Sequence, residues 1–295
     1  MDSSLTTVGL PIALAIVMLG LGLSLTPSDF ARAVRAPKAV AIALVCQVLI
    51  LPAIAFGLVK IVDLDPVLAV GFMLLAASPG GTTANLFSHL FRGDVALNVT
   101  LTAINSVLAI ITLPIIANLA LNHFVPGEEG VGLQFGKMLQ VFAVVLLPVL
   151  IGKAIRARNR PFADRMDKPV RIASALILVL VIVGALIGAR VAVGGYIADV
   201  GLLCLTFCLV SLTIGYVVPR MLTVSRRQAI ATSFEIGIHN STLAIAVALT
   251  VLEQDDMAVP AAVYGVLMFF VAVVFGKVIT RGKSEPLAEA VRAAH

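Results

Sequence analysis

Apolar segments about as long as a bilayer is thick follow one another along almost the whole chain, separated only by short polar turns. Broken at charged or Pro/Gly turns, they are nine: about 6–26, 37–61, 66–91, 94–121, 132–155, 169–189, 196–219, 226–252 and 258–280. A segment with no polar face has no place at a water surface, and in lipid every backbone N–H and C=O needs an internal partner, so helices or a closed barrel are the available folds. Barrel strands alternate over about 10 residues, whereas these runs are continuous and about twice that length. The pattern therefore predicts an all-α polytopic membrane protein with nine transmembrane helices. Of the 295 residues, 60% are hydrophobic and 13% charged, against roughly half and a quarter in soluble domains, so no separate soluble domain is expected.

The other totals exclude several functions. Cys46, Cys204 and Cys208 all lie inside apolar runs, so the spacing reads as packing rather than a disulfide framework or a zinc site. The net charge of +5 comes without a single Trp and with only three Tyr, and the basic residues sit in turns, which points to membrane topology and not to nucleic acid. Met1-Asp2-Ser3-Ser4 provides no basic region ahead of the first apolar run, so no cleaved signal peptide is expected. No His-Glu-x-x-His, Gly-x-Ser-x-Gly or paired membrane aspartates occur, which argues against an intramembrane enzyme. A channel stays open at this level. Nothing requires an oligomer.

Orientation follows from the basic residues of alternate loops. One side carries 18 of the 21 Lys and Arg, in the turns around 32–38, at 92, over 153–171, over 220–227 and from 277 onward. The other has three, Lys60, Lys137 and Arg190, and collects Asp63, Asp65, Glu128, Glu129, Glu253, Asp255 and Asp256. The expected location is a cell (inner) membrane with the N-terminus outside and the C-terminus cytoplasmic. Spans one to four and six to nine then run in opposite senses around an unpaired fifth span, which is an inverted repeat.

Two spans are interrupted at matching depth. The third contains Ser78-Pro79-Gly80-Gly81-Thr82-Thr83-Ala84-Asn85, and the eighth Glu235-Ile236-Gly237-Ile238-His239-Asn240-Ser241-Thr242. Proline removes a backbone donor and glycine accepts non-helical angles without steric cost, so each helix is expected to unwind and restart, capped by Thr82 or Thr83 and by Asn240 or Ser241. Unwound backbone at membrane depth is tolerated where it is buried in protein or lines a wet cavity, and paired interruptions mark transporter binding sites. The half-helix that ends offers carbonyls to a cation, and the one that begins offers amide hydrogens to an anion such as a carboxylate. Glu235 is the one acidic residue deep in a span, and ionised there it requires a cation or proton beside it. Sodium prefers oxygen ligands, which Glu235, Asn85 and nearby carbonyls supply. Gln47, Asn98, Thr102 and Asn105 also lie at membrane depth, and Asn98 and Thr102, four apart, share a helix face.

Simpler readings exist for each feature. A Pro-Gly break by itself is also what a kink needs, Glu235 could be a hydrogen-bonded neutral carboxyl, and Gln47, Thr102 and Asn105 could serve only interhelical hydrogen bonding. His239 could be a ligand, a proton carrier or a packed neutral imidazole.

Three stretches, Gly80-Gly81-Thr82-Thr83-Ala84-Asn85, Arg92-Gly93-Asp94-Val95-Ala96-Leu97 and Phe234-Glu235-Ile236-Gly237-Ile238-His239-Asn240-Ser241, resemble the bile acid:sodium symporter family, over about Gly9 to Lys283. The likeness is to bacterial homologues of the apical bile acid transporter and to nine-span members. It implies one transporter unit, with core helices over about 37–121 and 196–280, panel helices over about 6–26 and 132–189, two crossing discontinuous helices, and substrate in the crevice between core and panel. It further implies a first sodium site at Ala84 (backbone), Asn85, Asn98, Thr102 and Glu235, and a second at Gln47, Glu235, the carbonyls of Ile236 and Ile238, and His239. The substrate would meet Thr82, Thr83, Asn240 and Ser241. Ala84 stands where serine is common and His239 where glutamine is usual, and Met268-Phe269 replaces a His-Asn pair of some bile-acid-binding members, which weighs against bile acids. The resulting expectation is sodium-coupled symport, with no cofactor beyond sodium, of a bile-acid-like anion or a small carboxylate such as a pantoate-like or 2-keto acid. Proton coupling through Glu235 and His239 is the alternative.

Overall fold

The computed structural model describes residues 33–81, 83–126, 147–166 and 193–281, with scattered positions between 15 and 31 and between 169 and 176. The expected panel helices at 6–26 and 132–189 lie largely outside the described residues. The named elements are α1 (Pro37–Val62), α2 (Pro66–Ala77), α3 (Thr83–Leu90), α4 (Val95–Phe124), α5 (Val193–Met221), α6 (Arg226–Gly237), α7 (Ser241–Thr250) and α8 (Val259–Thr280). A 3₁₀ turn, Asp256–Ala258, leads into α8, and one turn of α1, Cys46–Ile50, is a π-helix. Among the described residues four helices, Pro37–Val62, Val95–Phe124, Val200–Met221 and Asp256–Thr280, are long and apolar enough to cross a membrane, and Pro66–Ala77 and Ser241–Thr250 are shorter apolar pieces.

The sequence explains where these helices start and stop. Asp65 accepts from the Val67 amide at 2.9 Å with Pro66 at the first helical position, Asp94 accepts from Leu97 at 3.0 Å, Ser225 from Gln228 at 3.3 Å and Asn240 from Leu243 at 3.1 Å. Each cap satisfies one of the amides that a helix start leaves without a partner. Asp63, Arg92, Thr223 and Glu253 have φ between 53° and 63°, and they occupy equivalent places, just after α1, α3, α5 and α7. Each reverses the chain through the left-handed region, which ends a helix and frees the next to return. The series long helix, broken pair, long helix thus occurs twice, as α1–α4 and as α5–α8.

Burial divides the elements by role. Leu68 to Ala77 of α2, Ala229 to Gly237 of α6 and Ser241 to Ala248 of α7 are buried throughout. The long helices carry exposed Leu49, Ile61, Leu119, Leu202, Phe270 and Val274. Broken helices inside and apolar side chains outside suit lipid as the solvent. α6 packs on α3, α4 and α5, and α2 on α1, α4 and α8. At Gly215 of α5 a Cβ would lie 2.7 Å from Ser233 Cα, so glycine is what lets α5 close on α6, where Ser233 Oγ donates to the Leu212 carbonyl at 2.7 Å. The basic turns are tied together at one end: Lys38 Nζ donates to Thr223 Oγ1 at 3.0 Å, the Asp94 amide to Arg227 O at 2.9 Å, and Arg226 to Ile279 O at 2.7 Å.

Candidate functional site

Both interrupted spans unwind, and their unwound turns meet. Gly80 lies opposite His239 in an isolated antiparallel bridge, in which the Gly81 amide donates to Ile238 O at 2.7 Å and the Asn240 amide to Pro79 O at 2.8 Å. Four backbone groups that proline and the helix ends would leave without partners are thereby satisfied across the two breaks. Thr83 opens α3 and Asn240 caps α7. Thr82, the other residue expected at the first restart, lies outside the described residues. The tight crossing depends on Gly80, where a Cβ would lie 2.6 Å from Glu235 O and would overlap the Glu235 carboxyl.

Glu235, on the last turn of α6, is fully buried. Its Oε2 accepts from Thr102 Oγ1 at 2.5 Å and its Oε1 from Asn105 Nδ2 at 3.0 Å. Both partners are neutral, so neither cancels a carboxylate charge. Asn98, one turn before Thr102 on α4, donates from Nδ2 to Ala231 O at 2.7 Å, one turn before Glu235 on α6. The hydroxyl of Thr102 also lies 3.0 Å from the Asn98 carbonyl. Asn98, Thr102 and Asn105 form one polar stripe laid against α6.

A second cluster centres on the Ser78 carbonyl at the end of α2. It accepts from Gln47 Nε2 at 2.9 Å and from His239 Nδ1 at 3.2 Å. Since a carbonyl only accepts, Nδ1 carries the proton and Nε2 is turned away from Ser78. The His239 ring stacks on Phe207, centroids 5.4 Å apart, and meets the edge of Tyr264 at 5.5 Å. Gln47 sits on the π turn of α1, a local widening that often accompanies functional sites.

Buried oxygens without a partner among the described residues are concentrated here. They include the side-chain oxygens of Gln47, Asn85, Asn98 and Asn105, and Ser88 and Ser241 Oγ, beside His239 Nε2. Because the amide nitrogens of Gln47, Asn98 and Asn105 are committed to carbonyl or carboxylate acceptors, their free atoms are oxygens that require a donor or a cation. No group of three or more His, Cys, Asp or Glu that could hold a metal is present among the described residues. Amide and carboxylate oxygens suit a hard cation.

The structure therefore brings Thr102 directly to Glu235, joins Gln47 and His239 through Ser78, and places Asn240 and Ser241 at the start of α7. Ile236 and Ile238 are buried on either side of Gly237, and Ala84 is buried on α3. Two contributors escape the expected ligand sets. Asn105 had only its depth to recommend it, although its spacing of three from Thr102 puts both on one face. The Ser78 carbonyl has no sequence signature at all. The three cysteines are free and buried, with Cys208 Sγ and Tyr264 Oη 3.9 and 2.9 Å from Gly237 O, and Cys204 Sγ 3.4 Å from Pro260 O. Met268 is buried, and Phe269 stacks on Phe87 at 6.2 Å within an aromatic cluster.

Comparison with known proteins identifies the family. The family model described as "Sodium Bile acid symporter family" matches residues 11–195. The chain is 29% identical to the Arabidopsis thaliana protein "Probable sodium/metabolite cotransporter BASS1, chloroplastic" over 86% of its own length and 62% of that protein's. It is 29% identical to the Bacillus subtilis "Uncharacterized sodium-dependent transporter YocS" over 86% of this chain and 78% of that one. With the mouse "Sodium/bile acid cotransporter 4" it shares 32% identity over 58% of this chain and 39% of the relative. The chain thus spans less than two thirds of the length of the plant and mouse relatives. Matched by the family model over well more than half its length, and carrying buried broken helices within a membrane-type helical body, the chain belongs to the sodium bile acid symporter family, whose members are transporters and not enzymes.

Proposed function

We propose that this protein is a sodium-coupled secondary transporter of an organic anion. The observation that carries the reading is the paired break itself, which, among the described residues, sets a buried Glu235 with only neutral partners amid unpartnered amide oxygens. A carboxylate and a surplus of acceptors call for a cation, and the helix starts at Thr83 and Ser241 offer amides to an anion. In this reading the first sodium lies among Ala84, Asn85, Asn98, Thr102 and Glu235. The second lies among Gln47, Glu235, the Ile236 and Ile238 carbonyls and His239. The substrate carboxylate meets Thr82, Thr83, Asn240 and Ser241, and a small pantoate-like or 2-keto acid is preferred over a bile acid because the apolar pair Met268-Phe269 stands where some bile-acid-binding members carry His-Asn.

The same reading extends to the architecture. Nine spans form an inverted repeat, with α1–α4 and α5–α8 as its halves in the core and the spans at 6–26 and 132–189 as the panel. The four left-handed turns at matching positions and the antiparallel sense of the bridge support the repeat. The gathering of Lys38, Arg226 and Arg227 at one end supports a cytoplasmic face there and an outside N-terminus. Alternating access then follows from the core rocking against the panel around the paired breaks.

The test is uptake of labelled small carboxylates into proteoliposomes holding the purified chain. Accumulation driven by an imposed inward sodium gradient, saturable in both solutes, is expected. Accumulation driven by a proton gradient in sodium-free buffer would replace sodium coupling with proton coupling.

A further inference from the structure

Beyond the sodium ligands named above, we propose that Asn105 is a direct ligand of the coupling cation, through its side-chain oxygen. The inference rests on the sodium-coupling reading and deepens it. Asn98, Thr102 and Asn105 fall at i, i+4 and i+7 on α4, and all three meet α6 at Ala231 and Glu235, themselves four apart. The two asparagines are used alike. Each donates its amide nitrogen across to α6, Asn98 to Ala231 O at 2.7 Å and Asn105 to Glu235 Oε1 at 3.0 Å, and each keeps a buried side-chain oxygen without a partner among the described residues. Asn105 is 2% exposed, so bulk water does not reach it.

The acceptor on α6 decides the orientation of each amide. A carboxylate or carbonyl oxygen opposite Asn105 Oδ1 would be repelled, so the nitrogen is the atom that touches Glu235 and the oxygen on the same carbon lies to one side of that contact. An amide held in this way by a carboxylate presents its oxygen beside that same negative charge. A cation within reach of both oxygens stabilises them more than two separate neutral donors would, because it also offsets the buried charge. Asn105 therefore does two things with one side chain: its nitrogen orients Glu235 and its oxygen joins the coordination shell. Leaving that oxygen without any partner would cost about 1–3 kcal/mol.

Binding of sodium-22 to the purified full chain, measured by scintillation proximity at pH 8, separates the two roles. Asn105→Leu removes oxygen and donor together, and sodium affinity is expected to fall at least roughly tenfold. Asn105→Asp keeps an oxygen and gives up the donor, and affinity is expected to stay within about threefold of wild type, since a cation held by both carboxylates offsets the repulsion that the lost donor leaves between them. If Asp binds sodium as weakly as Leu, or more weakly, Asn105 acts only by orienting Glu235 and the ligand assignment is overturned. An Asn105→Leu protein with wild-type affinity overturns any role. Absence of sodium binding in the wild type would instead refute the sodium-coupling reading itself. Should Asn105→Leu elute as aggregate, Asn105→Ser is measured in its place, with an intermediate loss expected and an unchanged affinity counting against the proposal.

Discussion

Gly80 faces Glu235 across the paired breaks so closely that a Cβ at Gly80 would lie 2.6 Å from the Glu235 main-chain oxygen and would overlap its side-chain carboxyl. The residue that lets one helix unwind thus also makes room for the buried acid of the other, so backbone crossing and ion chemistry share one small volume.

Gly80→Ala should therefore be among the most damaging single-methyl additions in the chain. Overpacking of a buried site costs typically about 1–3 kcal/mol, and here the neighbouring atoms include main chain that cannot swing aside. The melting temperature of the detergent-solubilised protein should fall and uptake should be lost. A variant with wild-type stability and transport would show that the crossing relaxes easily.

Glu235→Gln nearly keeps the side-chain volume and removes the charge. Under the proposed function, sodium binding at both sites should weaken by well over tenfold, because no other carboxylate is buried among the described residues. The fold should survive, since a glutamine oxygen can still accept from Thr102 or Asn105. Sodium titration of intrinsic stability, comparing the two proteins, reads this out; equal sodium-induced stabilisation would remove Glu235 from the coupling mechanism.

Asn240 carries two tasks that can be separated. Its side chain caps α7 through Leu243, at 3.1 Å, while its own amide is held by Pro79. Asn240→Leu should cost about 0.5–2 kcal/mol of stability for the lost cap. It should also weaken carboxylate binding more than sodium binding, because the cap aligns the amide-rich start of α7. Competition by the neutral amide analogue of a transported acid completes the test, and equal potency of amide and acid would argue against an anion site at the helix starts.

His239 and Gln47 both donate to Ser78, at 3.2 and 2.9 Å. His239→Leu removes one of the two donors and should lower stability by about 1 kcal/mol, the usual net worth of a hydrogen bond. His239→Gln restores an N–H and an oxygen, so it should recover stability and raise the apparent sodium affinity of the second site, where oxygen is the better ligand. Sodium Hill coefficients for uptake by wild type and His239→Gln would decide this, and identical values would leave His239 as a packed neutral imidazole.

Much of this protein was legible from its sequence because the governing signals are local. Continuous apolar length specifies lipid as the solvent and helices as the fold, and Pro79-Gly80-Gly81 and Ile238-His239-Asn240 mark the turns that cannot stay helical, as the ends of α2 and α6 at Ala77 and Gly237 bear out. The distribution of Lys and Arg between loops could likewise be counted without coordinates. Packing decided the rest. Thr102 and Asn105 stand 133 and 130 residues from the carboxylate they hold, the Ser78 carbonyl is a main-chain atom indistinguishable in sequence from any other, and the π turn at Gln47 is followed by Pro52, whose missing N–H disturbs the helix without saying which side chain that turn presents. Which polar groups face one another depends on helix rotation and approach, set by contacts such as Gly215 against Ser233 that couple distant segments. Hydropathy and turn chemistry act over a few residues, whereas a cation site is a coincidence of several side chains in three dimensions, and that coincidence exists only once the helices are packed.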